Sequence, residues 1–119
     1  MDKNTSIYEL KQEVQHFCEV RDWDKFHSPK ELAIGISTEA GELLDLFRFK
    51  SDEDMKKMFE NSEKKAKIEE EFSDILFFLL RFAQFYDIDI STAFKRKVEK
   101  NNQKYPVELF KGSNKKYNE

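Results

Sequence analysis

Residues 71–86 read Glu71-Phe72-Ser73-Asp74-Ile75-Leu76-Phe77-Phe78-Leu79-Leu80-Arg81-Phe82-Ala83-Gln84-Phe85-Tyr86. From Ile75 to Phe85 only Arg81 and Gln84 interrupt the apolar character. The run falls short of the roughly 20 residues a membrane span needs. Upstream, Ile68 and Phe72 join Ile75, Leu79, Phe82 and Tyr86 at helical spacing, which predicts a helix over about 62–86. The second half of that helix is apolar nearly all round, so several of its sides require cover. One small bundle hardly provides it, and the pattern points to a subunit interface.

Working outward, the apolar stripe Ile7, Leu10, Val14, Phe17 and Cys18 predicts a first helix ending near Asp22. Ser28-Pro29-Lys30-Glu31 has the grammar of a helix start: Ser28 as N-cap, Pro29 in the first turn and Glu31 completing a capping box. That second helix is expected to run to about Phe49, with Ile36, Ala40, Leu43 and Phe47 on one stripe. Gly35 and Gly41 fall inside it, each disfavoured by about 1 kcal/mol relative to Ala, which suggests close packing or approach of the backbone to something. Residues 51–61 are charged and weakly patterned and read as a loop with one short helical turn. Asp89 caps a further helix over about 90–104, Pro106 stops it, and the tail 107–119 reads as irregular.

The 119 residues contain three Gly and two Pro, too few for the turns of an all-β chain. The expectation is an all-α bundle of four to five helices forming a single domain, 1–119. Lys+Arg 21 against Asp+Glu 24 gives a net charge of -3, too balanced for a general nucleic-acid coat. A hydrophobic fraction of 39% with 12 Phe is enough to fold. Cys18 is the sole cysteine, which excludes an intramolecular disulfide or a multi-cysteine metal site. His16 and His27 are the only histidines. Met1 to Glu9 carries no apolar run, so no secretory leader is expected, and the chain reads as soluble and cytoplasmic.

Chemistry first suggests itself in the acids. Glu39-Ala40-Gly41-Glu42 and Glu71-Phe72-Ser73-Asp74 each place two carboxylates three residues apart on one helix face. Their surroundings distinguish them from other pairs at this spacing. Glu39 and Glu42 lie among Ile34, Ile36, Ala40, Leu43 and Leu44, and Glu71 and Asp74 lead into the apolar run. Carboxylates beside a core are unfavourable unless paired or bound to a cation, and all-oxygen ligation suits Mg²⁺ or Mn²⁺. The alternative is acids on solvated helix edges or paired with Lys and Arg. A di-iron bundle requires Glu-x-x-His pairs, which these are not. Asp87-x-Asp89-x-Ser91 starts like a calcium loop, but Thr92 replaces its glycine and Val98 its closing glutamate. No glycine-rich phosphate cradle is present.

From Lys95 onward eight Lys/Arg face three acids, a balance of +5. Acidic and basic segments in one small chain suit a nucleoside triphosphate, which binds Mg²⁺ and offers oxygens to lysines. A solvated helix face is the plainer alternative. Trp23, in Trp23-Asp24-Lys25-Phe26-His27, could stack on a base or plug the end of the core. Phe49 is a second stacking face or core, His27 a contact or a structural hydrogen-bonder, and Cys18 a packing residue.

These residues carry a family resemblance. Phe17 with Arg21-Asp22-Trp23 and Phe26-His27-x-Pro29, Glu39-Ala40-Gly41-Glu42-Leu43, Glu71-x-x-Asp74-Ile75-Leu76, Lys97 with Asn101 and Lys104-Tyr105-Pro106, and Gly112-Ser113 with Lys115-Lys116-Tyr117 resemble the MazG-like all-α nucleoside triphosphate pyrophosphohydrolases. Within them the dCTP pyrophosphatase branch is the most similar. The resemblance spans about residues 7–117. It implies a bundle completed by dimerisation, as a dimer or a dimer-of-dimers tetramer. It also implies Mg²⁺, with Mn²⁺ able to substitute, on Glu39, Glu42, Glu71 and Asp74. The phosphates fall to Lys97, Asn101 and Lys104, helped by Lys116 or Tyr117 from the tail, and Tyr105 is a further substrate-binding residue. The base falls to Trp23, with His27 nearby, and to contacts around Phe49 assembled partly across the subunit interface. Phe49 stands where that branch has a second tryptophan, and Val14 where it has a histidine.

The activity so implied is hydrolysis of a (deoxy)nucleoside triphosphate, dCTP or a related or modified dNTP, to the monophosphate and pyrophosphate, a form of nucleotide-pool sanitation. Glu42, Glu70 and Asp45 all qualify to activate the water. The rival expectation is a non-catalytic helical module whose basic C-terminal segment docks an acidic partner or nucleic acid.

Overall fold

The computed structural model describes residues 1–119. It is all-α: α1 (Ile7–Glu19), α2 (Pro29–Leu46), α3 (Asp52–Glu60), α4 (Ser62–Phe85), α5 (Ile90–Lys104) and α6 (Val107–Phe110), with a 3₁₀ turn at Asp24–Phe26 and no strand. The chain divides into two units, residues 1–87 and 88–119.

Helix starts are written into the sequence. Ser6, Ser28, Ser51, Asn61 and Asp89 each accept, through a side-chain oxygen, the backbone N–H three residues on. Each such cap stabilises its helix by about 1 kcal/mol. Only the serine half of the expected Ser28/Glu31 capping box is present. The complete box lies at Ser51/Asp54, where Asp54 Oδ2 also accepts the Ser51 N–H at 3.2 Å. That box starts α3 inside the stretch read from sequence as a loop, so nine residues there are helical. Their charge pattern hid an apolar side: Met58 is buried and Phe59 stacks on Phe47 with ring centroids 6.3 Å apart. Two helices end earlier than expected. α1 stops at Glu19, and Asp22 takes φ +54 in the turn that follows. α2 stops at Leu46, because Phe49 adopts φ +62 and leaves the helical path. The tail holds one further short helix, α6.

In the first unit α4 is the central post, packing against α1, α2 and α3. Val14, Cys18, Leu32, Met58, Ile68, Leu80 and Ala83 form the core. The opposite side of α4 is bare: Phe72, Leu76 and Leu79, spaced by four and three residues, are 60%, 36% and 45% exposed. Arg81, which interrupts the apolar run in sequence, is instead its most deeply buried large side chain, at 1% exposure.

In the second unit the long helix is α5. Tyr105 beyond its end meets Phe110 and Tyr117 edge-on, with ring centroids 5.1 and 6.2 Å apart. No helix of either unit is long and apolar enough to cross a membrane.

Candidate active site

Glu39 and Glu42 project from α2 and Glu71 from α4. Each offers a carboxylate oxygen, and the three oxygens lie within 4.8 Å of one another. Glu71 is buried. Oε2 of Glu39 and Oε2 of Glu71 are sealed from water and accept no hydrogen bond. A buried acceptor without a donor costs about 1–3 kcal/mol, more when charged, so the cluster as built lacks something positive.

Glu42 registers the same conflict. Hydrogen bonds and charge repulsion from Glu39 and Glu71 lift its pKa from 4.5 to about 7. Lys67, one turn before Glu71, places Nζ 3.1 Å from Glu71 Oε1 and 3.7 Å from Glu70 Oε2. This pairing raises the lysine's pKa, its hydrogen bond to Glu71 being the main cause. A cation therefore already rests on one edge of the cluster, while the buried Oε2 atoms remain unmet. The donors are all oxygen and all carboxylate, the set hard divalent cations take. The residues fit such an ion.

Asp74 stands apart from this trio. It follows Glu71 by three residues, is exposed and lies outside the group whose oxygens converge. An open cleft of about 580 Å³ borders the acids, lined by Thr38, Gly41, Glu42, Asp45, Leu46, Lys67 and Glu71. Its volume suits a nucleotide-sized ligand. Of the two other carboxylates considered for water activation, Asp45 lines this cleft and Glu70 does not.

The aromatic candidates occupy different settings. Trp23 is 39% exposed and meets Phe17 edge-on at 5.6 Å, so it plugs one end of the core while keeping one edge wet. Phe49 is 90% exposed, in a left-handed conformation unfavourable for an aromatic residue, with the Arg48 guanidinium 4.7 Å from its ring centroid. His27 is committed to Arg81, whose Nε donates to His27 Nδ1 at 2.9 Å. A guanidinium only donates, so Nδ1 is the acceptor and neutral His27 carries its proton on Nε2. Burial, then the Arg81 charge, lowers the His27 pKa against the opposing pull of Asp24.

Arg81 completes its valences with Gln84 Oε1 at 2.6 Å and with an ion pair to Asp24, and lies over the Phe85 ring at 4.3 Å. It anchors the turn that carries Trp23 and His27. Sequence reasoning missed this residue, since its partners lie 54 and 57 positions away. A charge kept inside an apolar run was the only available signal. Cys18 is buried, and burial pushes its thiol pKa up, the opposite of an activated nucleophile.

In the second unit, Lys97, Asn101 and Lys104 follow one another on α5 at spacings of four and three, which places them on one face. Lys104 Nζ lies 5.0 Å from the Tyr117 ring centroid. Lys116 is exposed, its backbone N–H bonded to Glu119.

Against this geometry stand the known proteins the chain is similar to. It is 38% identical to dCTP pyrophosphatase 1 of Rattus norvegicus over 101 residues, 85% of this chain and 59% of that protein. It is 34% identical to dCTP pyrophosphatase 1 of Homo sapiens over 103 residues, 87% of this chain and 61% of that protein. The chain thus spans about three fifths of the length of these relatives. The crystal structure of a pyrophosphatase from Archaeoglobus fulgidus matches with a TM-score of 0.77 at 39% identity, covering 83% of this chain and 91% of that one. The family model described as MazG-like matches residues 34–119. That segment contains all three converging carboxylates and the whole of α5, and the chain belongs to the MazG-like family.

Proposed function

We propose that this protein is a metal-dependent nucleoside triphosphate pyrophosphohydrolase. Its substrate is dCTP or a related or modified deoxynucleoside triphosphate, cleaved between the α- and β-phosphates to the monophosphate and pyrophosphate. The observation that carries this reading is the convergence of Glu39, Glu42 and Glu71, with two buried oxygens left without a donor. The relatives named dCTP pyrophosphatase support the substrate class.

Glu39, Glu42 and Glu71 would hold Mg²⁺, or Mn²⁺ in its place, with Asp74 as a further ligand one turn on. Such an ion, when bound, polarises phosphoryl oxygens and lowers the pKa of a bound water. The chain's own groups do the rest. Glu42 and Asp45 line the cleft, and one of them takes the proton of the attacking water. Lys67 balances charge on the Glu71 side. Trp23, with the Nε2–H donor of His27, precedes α2 and Phe49 follows it, about 27 Å of helix apart, so the two rings would reach one base only from different subunits. For the phosphates we assign Lys97, Asn101 and Lys104 of α5, helped by Lys116, with Tyr105 as a further substrate contact.

The bare stripe Phe72, Leu76 and Leu79 supports a homo-oligomer, dimer or tetramer, working as one functional domain per chain. The role is sanitation of a cytoplasmic nucleotide pool. Phosphorus NMR of a panel of dNTPs and NTPs, with Mg²⁺ and with chelator, tests the reading. Monophosphate and pyrophosphate should appear only with metal, dCTP leading. Diphosphate and orthophosphate would overturn α–β cleavage, and no turnover by folded protein would favour the binding-module alternative.

A further inference from the structure

The three carboxylates belong to two helices, so the separation of α2 and α4 sets how closely Glu71 approaches Glu39 and Glu42. One contact along that seam is unusually tight. A Cβ built on Gly35 of α2 would fall 2.6 Å from Cδ1 and Cε1 of Phe78 and 2.8 Å from its Cζ. The ring therefore occupies space that only a bare α-carbon leaves free. The other glycine of α2, Gly41, would meet nothing within 4 Å. Packing against α4 thus demands glycine at position 35 and not at position 41.

Gly35 precedes Glu39 by four residues, one turn or about 6 Å along the same face of α2. Phe78 follows Glu71 by seven residues, two turns along the same face of α4. The glycine–ring contact is the neighbouring layer of the seam that holds the acids. Phe78 has little room to swing away. It packs edge-on against Phe77 with centroids 5.8 Å apart, and Phe77 packs against Phe17 at 5.4 Å.

We propose that Gly35 and Phe78 are positioning residues that fix the α2–α4 separation at the carboxylate cluster and thereby fit it to a small divalent cation. The inference rests on the metal reading of the cluster and deepens it. Mg²⁺ needs near-ideal octahedral ligands at about 2.0–2.1 Å, whereas Ca²⁺ accepts looser geometry at about 2.3–2.6 Å. Widening the seam should therefore penalise the smaller ion. A methyl group at position 35 does so from α2, and a larger ring at position 78 does so from α4.

The test is calorimetric titration of the full chain with Mg²⁺ and, separately, with Ca²⁺, without nucleotide. Gly35→Ala should weaken Mg²⁺ binding about tenfold, the low end of what orienting residues contribute to a metal site, and weaken Ca²⁺ binding much less. Gly35→Ala/Phe78→Leu should regain Mg²⁺ affinity, because the smaller side chain readmits the methyl. Phe78→Trp should repeat the shift in selectivity, and it serves if Gly35→Ala does not fold. Equal losses for both ions, or unchanged affinities in both single variants, would overturn the proposal. A wild-type chain that binds neither ion would overturn the metal reading beneath it.

Discussion

The first unit buries charge in two places and treats it in opposite ways. At one, Arg81 is 1% exposed and donates to His27, Gln84 and Asp24 while lying over Phe85. At the other, Glu71 is 6% exposed and Glu39 half-buried, and each keeps an oxygen with no donor. A buried charge stabilises a fold only when its hydrogen-bonding capacity is met within it. The Arg81 node is complete and holds the turn bearing Trp23 and His27. The acidic cluster leaves two buried oxygens without a donor and, in the reading proposed above, is completed by a cation.

This contrast breaks most visibly at Glu71. Glu71→Gln should lower pyrophosphate release about 10³-fold, the several kcal/mol of a lost metal ligand at 1.36 kcal/mol per decade. Its fold should persist without metal, since one repelling charge is gone. Both are read from product assays and thermal unfolding of the same preparation. Arg81→Met should do the reverse. It leaves His27 Nδ1 without its donor while Asp24, 47% exposed, keeps water, and should cost about 1–3 kcal/mol in urea unfolding, as an unmet buried acceptor does. The stabilisation that Mg²⁺ gives should survive in it.

The two regions should also titrate with opposite sign. The Glu42 pKa is raised from 4.5 to about 7 by Glu39 and Glu71. Its proton therefore favours the folded state, and the stability it adds below pH 4.5 is lost as pH rises through about 7. The His27 pKa is lowered from 6.5. Its contribution is present above that value and is lost as pH falls through the lower folded-state value. Melting curves of metal-free protein against Glu42→Gln isolate the first slope, and curves against His27→Gln the second. Saturating Mg²⁺ should abolish the first and leave the second. The smallest effect serves as a control. Ser51→Ala, which removes the α3 cap, should cost about 1 kcal/mol and leave metal binding unchanged.

Much of this was legible in the chain. Ser28-Pro29 and Asp89 mark helix starts because capping is local, and the structure places both where the sequence does. Glu39, Glu42 and Glu71 stood out because acids beside apolar stripes require an explanation. α3 was missed because it is short and its apolar stripe, Met55, Met58 and Phe59, is scattered among charges, although Ser51-x-x-Asp54 carried the signal of a cap. The early end of α2 depends on Phe49 accepting a positive φ, which no propensity indicates. Arg81 and the Gly35–Phe78 contact depend on which helix faces which, knowledge that arises only when distant segments meet. Asp74 shares the spacing and the offset of about 60° of Glu42, but its side chain is one methylene shorter and it lies outside the converging trio.

The central claim is that the unmet oxygens of Glu39 and Glu71 are there to receive a cation. Its most direct test is thermal unfolding across a Mg²⁺ titration, comparing the wild-type chain with Glu39→Gln/Glu71→Gln. The wild type should gain about 2.7 kcal/mol at a hundredfold excess of Mg²⁺ over its dissociation constant, and the double variant should gain nothing. An equal response of the two proteins would contradict the account.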